Sequence, residues 1–179
     1  RSDRFAILRQ LVRLGYECGS GAMVGIPGQS DEDLAGDVEM FCKLNLHMIG
    51  LGPYLPHPAT PLAHDARASQ GFDSTLMAFK MLALTRINCP QANIPCSTAL
   101  AIASGEDGHT LGLLRGANVV MPNLTPMRYR KLYDIYPGKG GISADAASTD
   151  ASIRRVIASL GRCVGAGRGD SLVSTAAHA

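Results

Sequence analysis

Gly19-Ser20-Gly21-Ala22-Met23-Val24-Gly25-Ile26-Pro27-Gly28-Gln29-Ser30-Asp31-Glu32-Asp33 is the stretch on which the reading of the fold turns. Ala22, Met23, Val24, Gly25 and Ile26 form an apolar strand core, and Pro27-Gly28 closes it. Ser30 then stands three residues before Asp33. That spacing is a capping box, and the acids suit the positive end of a helix. Leu34, Val38, Phe41 and Leu44 follow at helical spacing. One strand leading through a tight turn into one capped helix is a βα unit.

The same succession recurs outward from this stretch. Upstream, Phe5, Leu8, Leu11 and Val12 share one face of an amphipathic helix. Downstream, Met48 to Gly52 reads as a second strand closed by Pro53, and a Pro- and His-containing loop runs from Pro56 to Gly71. Leu76, Phe79, Ala83 and Ile87 form the stripe of a helix that Asn88 and Pro90 stop. Asn93 to Ala99 reads as a third strand, and Leu111 to Leu114 as a short helix ended by Gly116. Asn118 to Met121 is a fourth strand. Tyr129, Leu132, Tyr133 and Tyr136 mark a helix broken at Gly138–Gly141, and a last helix spans about Thr149 to Leu160. The Gly/Ser/Ala-rich segment from Gly165 onward is expected to be a flexible tail.

Strands alternating with helices imply an α/β fold with parallel pairing. Short, apolar strands suit a sheet covered on both faces. Four βα units amount to half of an eight-stranded (β/α)8 TIM-type barrel, and an open four-stranded sheet is the alternative.

Composition agrees. The chain has 179 residues, enough for one domain or a large piece of one. A net charge of +2 is too small for a nucleic-acid or membrane-surface binder. There is no apolar run long enough for a transmembrane helix. The chain opens Arg1-Ser2-Asp3-Arg4, without Met or signal-peptide pattern, and enters a helix directly. Either processing or a start inside a longer protein would produce this. Cys18, Cys42, Cys89, Cys96 and Cys163 are odd in number and widely spread, without a C-x-x-C pair. The reading is reduced, buried thiols in a cytoplasm, not a disulfide framework or a cluster site.

In such architectures the site forms where the strands end. Gly25–Ser30, Pro53–Pro58, Ser97–Leu100 and Met121–Pro126 are the places to inspect. They carry Gly, Pro, Ser, Thr, Asn and aliphatics, a lining suited to a bulky, partly apolar ligand and poor in acid–base groups. Arg4 could clamp a carboxylate with its planar fork, or be a solvated helix-start arginine. Met23, Leu55 and Ile135 read as plain core. Ser97 and Thr98 could bond a ligand or the local backbone. Tyr133 and Tyr136 share a helical face and either line a pocket or pack. His57, between two prolines, reads as a hydrogen-bonded loop residue. Gly25-Ile26-Pro27-Gly28-Gln29 matches neither phosphate-loop pattern.

The assembled segments resemble a known family. Leu14-Gly15-Tyr16-Glu17 together with Gly19 to Gln29 is similar to the radical S-adenosylmethionine (SAM) enzymes of the biotin-synthase group. Met48-Ile49-Gly50-Leu51-Gly52-Pro53-Tyr54-Leu55-Pro56-His57-Pro58 sharpens the likeness, as do Ala92 to Pro95, Gly116 to Asn123 and Tyr129 to Tyr133. Within that group they resemble the hydrogenase-maturation branch, over nearly the whole chain up to about Gly165. Methylornithine-synthase and biotin-synthase relatives, or a non-catalytic βα binding domain, are the alternatives.

The resemblance implies the C-terminal half of a (β/α)8 barrel. It also implies SAM and a [4Fe–4S] cluster as cofactors, cleavage of SAM to a 5′-deoxyadenosyl radical, a small-molecule substrate, and other hydrogenase maturation proteins as partners. By resemblance, Arg4 contacts the SAM carboxylate, and Met23, Leu55 and Ile135 pack near SAM. Ser97, Thr98, Tyr133 and Tyr136 surround the substrate cavity. The family's C-x-x-x-C-x-x-C loop is absent from this stretch, as its place in the family's N-terminal half implies. Ile142 to Ile153 contains no cysteine, so a second cluster is not expected.

Overall fold

The computed structural model describes residues 3–65, 73–105, 108–130 and 146–173. In chain order the elements are α1 (Arg4–Arg13), β1 (Gly19–Val24), α2 (Asp31–Lys43), β2 (Met48–Pro53), a 3-10 turn (Pro61–His64), α3 (Ser74–Asn88) and β3 (Pro95–Cys96). They continue with α4 (Thr98–Ala103), α5 (Gly108–Leu114), β4 (Val119–Val120), α6 (Met127–Arg130) and α7 (Ala146–Ser159). The four strands are all parallel and lie in the order β1-β2-β3-β4. The expected α/β alternation is present.

Local chemistry starts the helices. In α2 the Asp33 N–H donates to Ser30 Oγ (3.1 Å), and the Ser30 N–H donates to Asp33 Oδ2 (2.9 Å). These are the two halves of the expected capping box. Asp3 accepts from Phe5 N and Ala6 N at the start of α1, and Asp73 accepts from Leu76 N at the start of α3.

The core lies between the sheet and α2 and α3. Val24, Ile49, Leu51 and Cys96 point from the strands into it; Leu34, Val38 and Phe41 enter from α2, and Ala78, Phe79 and Leu82 from α3. Burying each large side chain contributes roughly 1.5–3 kcal/mol. On β2 the residues alternate, with Ile49, Leu51 and Pro53 buried and Met48, Gly50 and Gly52 facing the other way.

Several boundaries differ from the sequence reading. The first strand starts at Gly19 and stops before Gly25, which takes φ +87° as the chain turns. The third strand is only Pro95–Cys96. Ser97 ends it by accepting from Leu100 N (3.2 Å), so Thr98–Ala103 becomes α4 and not strand. An apolar run of this length fits a buried strand as well as a helix, and the cap decides. The buried face of α3 is Ala78, Phe79, Met81, Leu82 and Thr85, whereas Leu76 and Ile87 are exposed. With apolar residues all round this helix, the stripe did not mark the inward face. The α1 helix has no buried residue. Of the five thiols, Cys18 and Cys96 are buried, but Cys42 and Cys163 are exposed and Cys89 is intermediate. Uniform burial is therefore corrected.

Gly165 to Val173, read as the start of a flexible tail, has no helix or strand. It is nevertheless held where the strands begin. Asn93 Nδ2 donates to Gly169 O (2.9 Å), Ser171 N to Glu17 Oε1 (3.0 Å) and Leu172 N to Gln91 O (3.2 Å).

Candidate functional site

The site is built from the turns that follow the strands. After β1 the chain reverses through Gly25 and Gly28, both at positive φ. Gln29 staples this turn: the Gly25 N–H donates to Gln29 Oε1 (2.7 Å), and Gln29 Nε2 donates to the Met23 carbonyl (3.1 Å). The end of β1 is thus fixed by a side chain that the sequence reading had left without a role. The Tyr54 N–H donates to the Val24 carbonyl (2.7 Å), which carries the pairing of β1 and β2 one residue past the end of β2.

Met23 pairs with Gly52 in the parallel register, so both face the same side of the sheet, away from the helix-packed core. Met23 is 49% exposed there; the plain-core reading does not hold for it. Gly50 and Gly52 leave this face without side chains. A Cβ on Gly50 would have only Ser20 O within 4 Å, at 3.9 Å, so the backbone lies open to a ligand; one on Gly52 would come within 2.6 Å of Ser97 Oγ. Ser97 therefore stands beside Gly52, which Met23 pairs from β1. Leu55 follows directly in the β2 exit turn and is half-buried.

These positions meet at one end of the sheet, and each now has a local constraint. Ser97 Oγ already accepts from Leu100 N, so the hydroxyl has its proton left to donate. Thr98 is exposed in the first turn of α4. Arg4 is exposed at the start of α1. Leu8 ties that helix to the residue before β1: its carbonyl accepts from Cys18 Sγ at 3.9 Å. No hydrogen bond joins Arg4 to Met23, Leu55 or Ser97 among the described residues. Tyr133, Ile135 and Tyr136 lie outside those residues. His57 is the hydrogen-bonded loop residue expected: its Nδ1 accepts from Ala59 N (3.2 Å).

Two buried polar atoms near the strand ends were not anticipated. The Tyr54 hydroxyl and His109 Nδ1 are both enclosed without a hydrogen-bond partner among the described residues. Burial pushes the His109 pKa below the usual histidine value. Tyr54 carried a signal in the sequence, as a phenol directly after a strand-ending proline. His109 carried none, because its burial depends on how α4 and α5 pack.

Metal ligation has a different outcome. Among the described residues no three His, Cys, Asp or Glu side chains gather closely enough to hold a metal ion. Cys18 sits before β1, Cys96 faces the helices and donates to Gly108 O (3.5 Å), and Cys42 meets Cys89 at the far end of α2 and α3. None of these thiols belongs to the strand-end surface.

No protein-family profile matches the chain. The chain is 44% identical over 161 residues to the [FeFe] hydrogenase maturase subunit HydE of Thermotoga maritima, a match covering 89% of this chain and 44% of that protein. Among solved structures, methylornithine synthase (PylB) shares the fold with a TM-score of 0.62 over 84% of this chain and 41% of that one, at 24% identity. The chain thus spans less than half the length of either relative. At that identity the second likeness speaks for the fold, and the parallel four-stranded sheet is accordingly an arc of a (β/α)8 barrel. The first speaks for kinship: over most of its own length this chain is similar to HydE.

Proposed function

We propose that this stretch is the C-terminal half of the barrel of a radical SAM maturase that acts in assembly of the [FeFe]-hydrogenase H-cluster, working in the cytoplasm with other maturation proteins on a small-molecule substrate. The observation that carries the reading is identity sustained over 161 residues to HydE. The open Gly50 backbone, on the same strand face as Met23, supports it.

The two cofactors implied fare differently. A strand face that is partly apolar and open at Gly50 fits an organic cofactor with polar ends, such as SAM. The scattered cysteines do not fit a [4Fe–4S] cluster, which needs several thiolates converging on one site. Its ligands belong to a part of the enzyme outside this stretch, and the stretch by itself would be inactive.

Bound SAM would supply a 5′-deoxyadenosyl radical. This chain's residues bind, orient and enclose. Arg4 would hold the methionine carboxylate through charge-assisted hydrogen bonds. Met23, Leu55 and Ile135 would pack against the cofactor and keep water out. Thr98, Tyr133 and Tyr136 would face the substrate, with Ser97 offering its hydroxyl proton to a substrate acceptor.

Arg4→Ala in the full-length protein tests the reading. The expected result is a loss of about 1.5–3 kcal/mol of SAM affinity, the value of a charge-assisted hydrogen bond, measured by calorimetry. Unchanged affinity would remove Arg4 from the site.

A further inference from the structure

Cys42 and Cys89 lie 47 positions apart in sequence, yet their Sγ atoms stand 3.3 Å from each other. Cys42 is in the last turn of α2, and Cys89 is the residue that ends α3. The two helices pack side by side and return toward the strand starts, so both thiols lie at the opposite end of the sheet from the strand-end surface. A cavity opens over them, lined by Phe41, Leu46, Asn88 and Val173 as well as the two cysteines. Val173 reaches it because Leu172 N and Ser171 N anchor the segment to Gln91 O and to the Glu17 carboxylate. Cys42 is exposed and Cys89 is half-buried. The other thiols are not so placed: Cys18 and Cys96 are buried against backbone carbonyls, and Cys163 lies beyond the end of α7.

We infer that Cys42 and Cys89 form a dithiol–disulfide modification site, oxidised by a low-molecular-weight disulfide that enters through this cavity. The exposed Cys42 thiolate attacks one sulfur of the incoming disulfide. That S–S bond breaks, and the leaving thiolate takes a proton from water. Cys89 then gives its proton to solvent and attacks Cys42 Sγ, and the second small thiolate departs. Two protein thiols have become one disulfide, losing two electrons and two protons, and one small disulfide has become two thiols.

The order of attack follows from exposure. Burial, followed by the contact with Cys42, pushes the Cys89 thiol up to about 12, against the opposing pull of Arg86. Cys89 therefore remains protonated until Cys42 has been activated. Cys89 stands at the C-terminus of α3, whose negative dipole end disfavours its thiolate, so the second step is slow. Closing the bond needs an approach of about 1.2 Å, from 3.3 Å to the S–S bond length. The link would tie α2 to α3 across the whole β2 and α3 segment. It goes beyond the proposed function and does not depend on it.

The full-length protein, kept anaerobic, is equilibrated with mixtures of oxidised and reduced glutathione, alkylated, and peptide-mapped without reduction. The expected result is one cross-linked peptide pair joining Cys42 to Cys89, reversed by dithiothreitol and accompanied by a raised melting temperature. In Cys89→Ser, Cys42 should accumulate as the glutathione mixed disulfide. The map of the unaltered protein decides if that variant fails to fold. The inference is overturned if both thiols stay alkylatable throughout, or if Cys42 retains glutathione while Cys89 stays free.

Discussion

Where the strands begin, Arg86 donates to the carbonyls of Gly116 (2.8 Å), Pro90 (2.8 Å) and Ala92 (2.9 Å) and to Asn118 Oδ1 (2.8 Å). Asn118 Oδ1 also accepts from Ile94 N, and its Nδ2 donates to Asn93 Oδ1, so α3, β3 and β4 are joined at their feet. His47 Nδ1 accepts from Cys18 N (3.2 Å) and links the starts of β1 and β2 in the same way. Where the strands end, the Tyr54 N–H still donates to the Val24 carbonyl across β1 and β2, but the side-chain hydrogen bonds of Gln29, Ser97 and Asn123 are local. Gln29 closes its own turn, Ser97 caps its own helix, and Asn123 accepts from Thr125 N. Met23, Met121 and Leu124 are about half exposed or more at that end. One end is cross-braced between elements; the other leaves its surface to whatever binds there. This division matches the general rule for βα folds, in which strand starts hold the structure and strand ends carry function.

The contrast makes graded predictions. The largest effect should come from the core that both ends share: Leu51→Ala, at a side chain 2% exposed, should lower unfolding free energy by about 2–5 kcal/mol in denaturant titration. Next comes the braced end. Arg86→Ala leaves three carbonyls and Asn118 Oδ1 short of a donor, and should cost about 2–3 kcal/mol. In the full-length protein its SAM affinity should stay unchanged. A loss of ligand affinity equal to that of Arg4→Ala would erase the distinction between the two ends.

The third prediction concerns pH. Burial lowers the folded-state pKa of His109, so the unfolded chain binds its proton more readily. Stability should be at its plateau above the ordinary histidine value, near 6.5, and decline as pH falls below it toward the folded-state value. His109→Gln should flatten that limb of a stability–pH profile; an unaltered profile would assign the decline to other groups. The smallest structural change should be Gly50→Ala. Its Cβ meets nothing closer than 3.9 Å, so stability should shift by at most about 1 kcal/mol, and toward stabilisation. If the open face holds the cofactor, the same methyl should weaken SAM binding. Full affinity in Gly50→Ala would move the cofactor off this face.

Sequence periodicity alone carried the α/β alternation, the order of the strands along the chain and the capping box, because these depend on contacts within a few residues. Ser30 and Asp33 bond each other wherever the chain goes. Leu34, Val38 and Phe41 were legible as the buried stripe of α2 because the opposite side of that helix is polar. The buried side of α3 was not, since its sequence is apolar in nearly every direction and only the position of β2 selects Ala78, Leu82 and Thr85. The change from strand to helix at Ser97 escaped for a related reason: a run such as Thr98–Ala103 satisfies either backbone.

The candidate site divides in the same manner. Glycines and prolines after the first, second and fourth strands announced where it would lie, since backbone turns demand those residues. That Met23 leaves the core, that Gly52 brings Ser97 close, and that Tyr54 and His109 end enclosed without partners were decided by tertiary structure. Parallel register sets which side chains share a face, and no local sequence property encodes the register between strands that are tens of residues apart. The meeting of Cys42 with Cys89 belongs to the same class. Its sequence separation hides it, and only the packing of two helices on one sheet brings the sulfurs together.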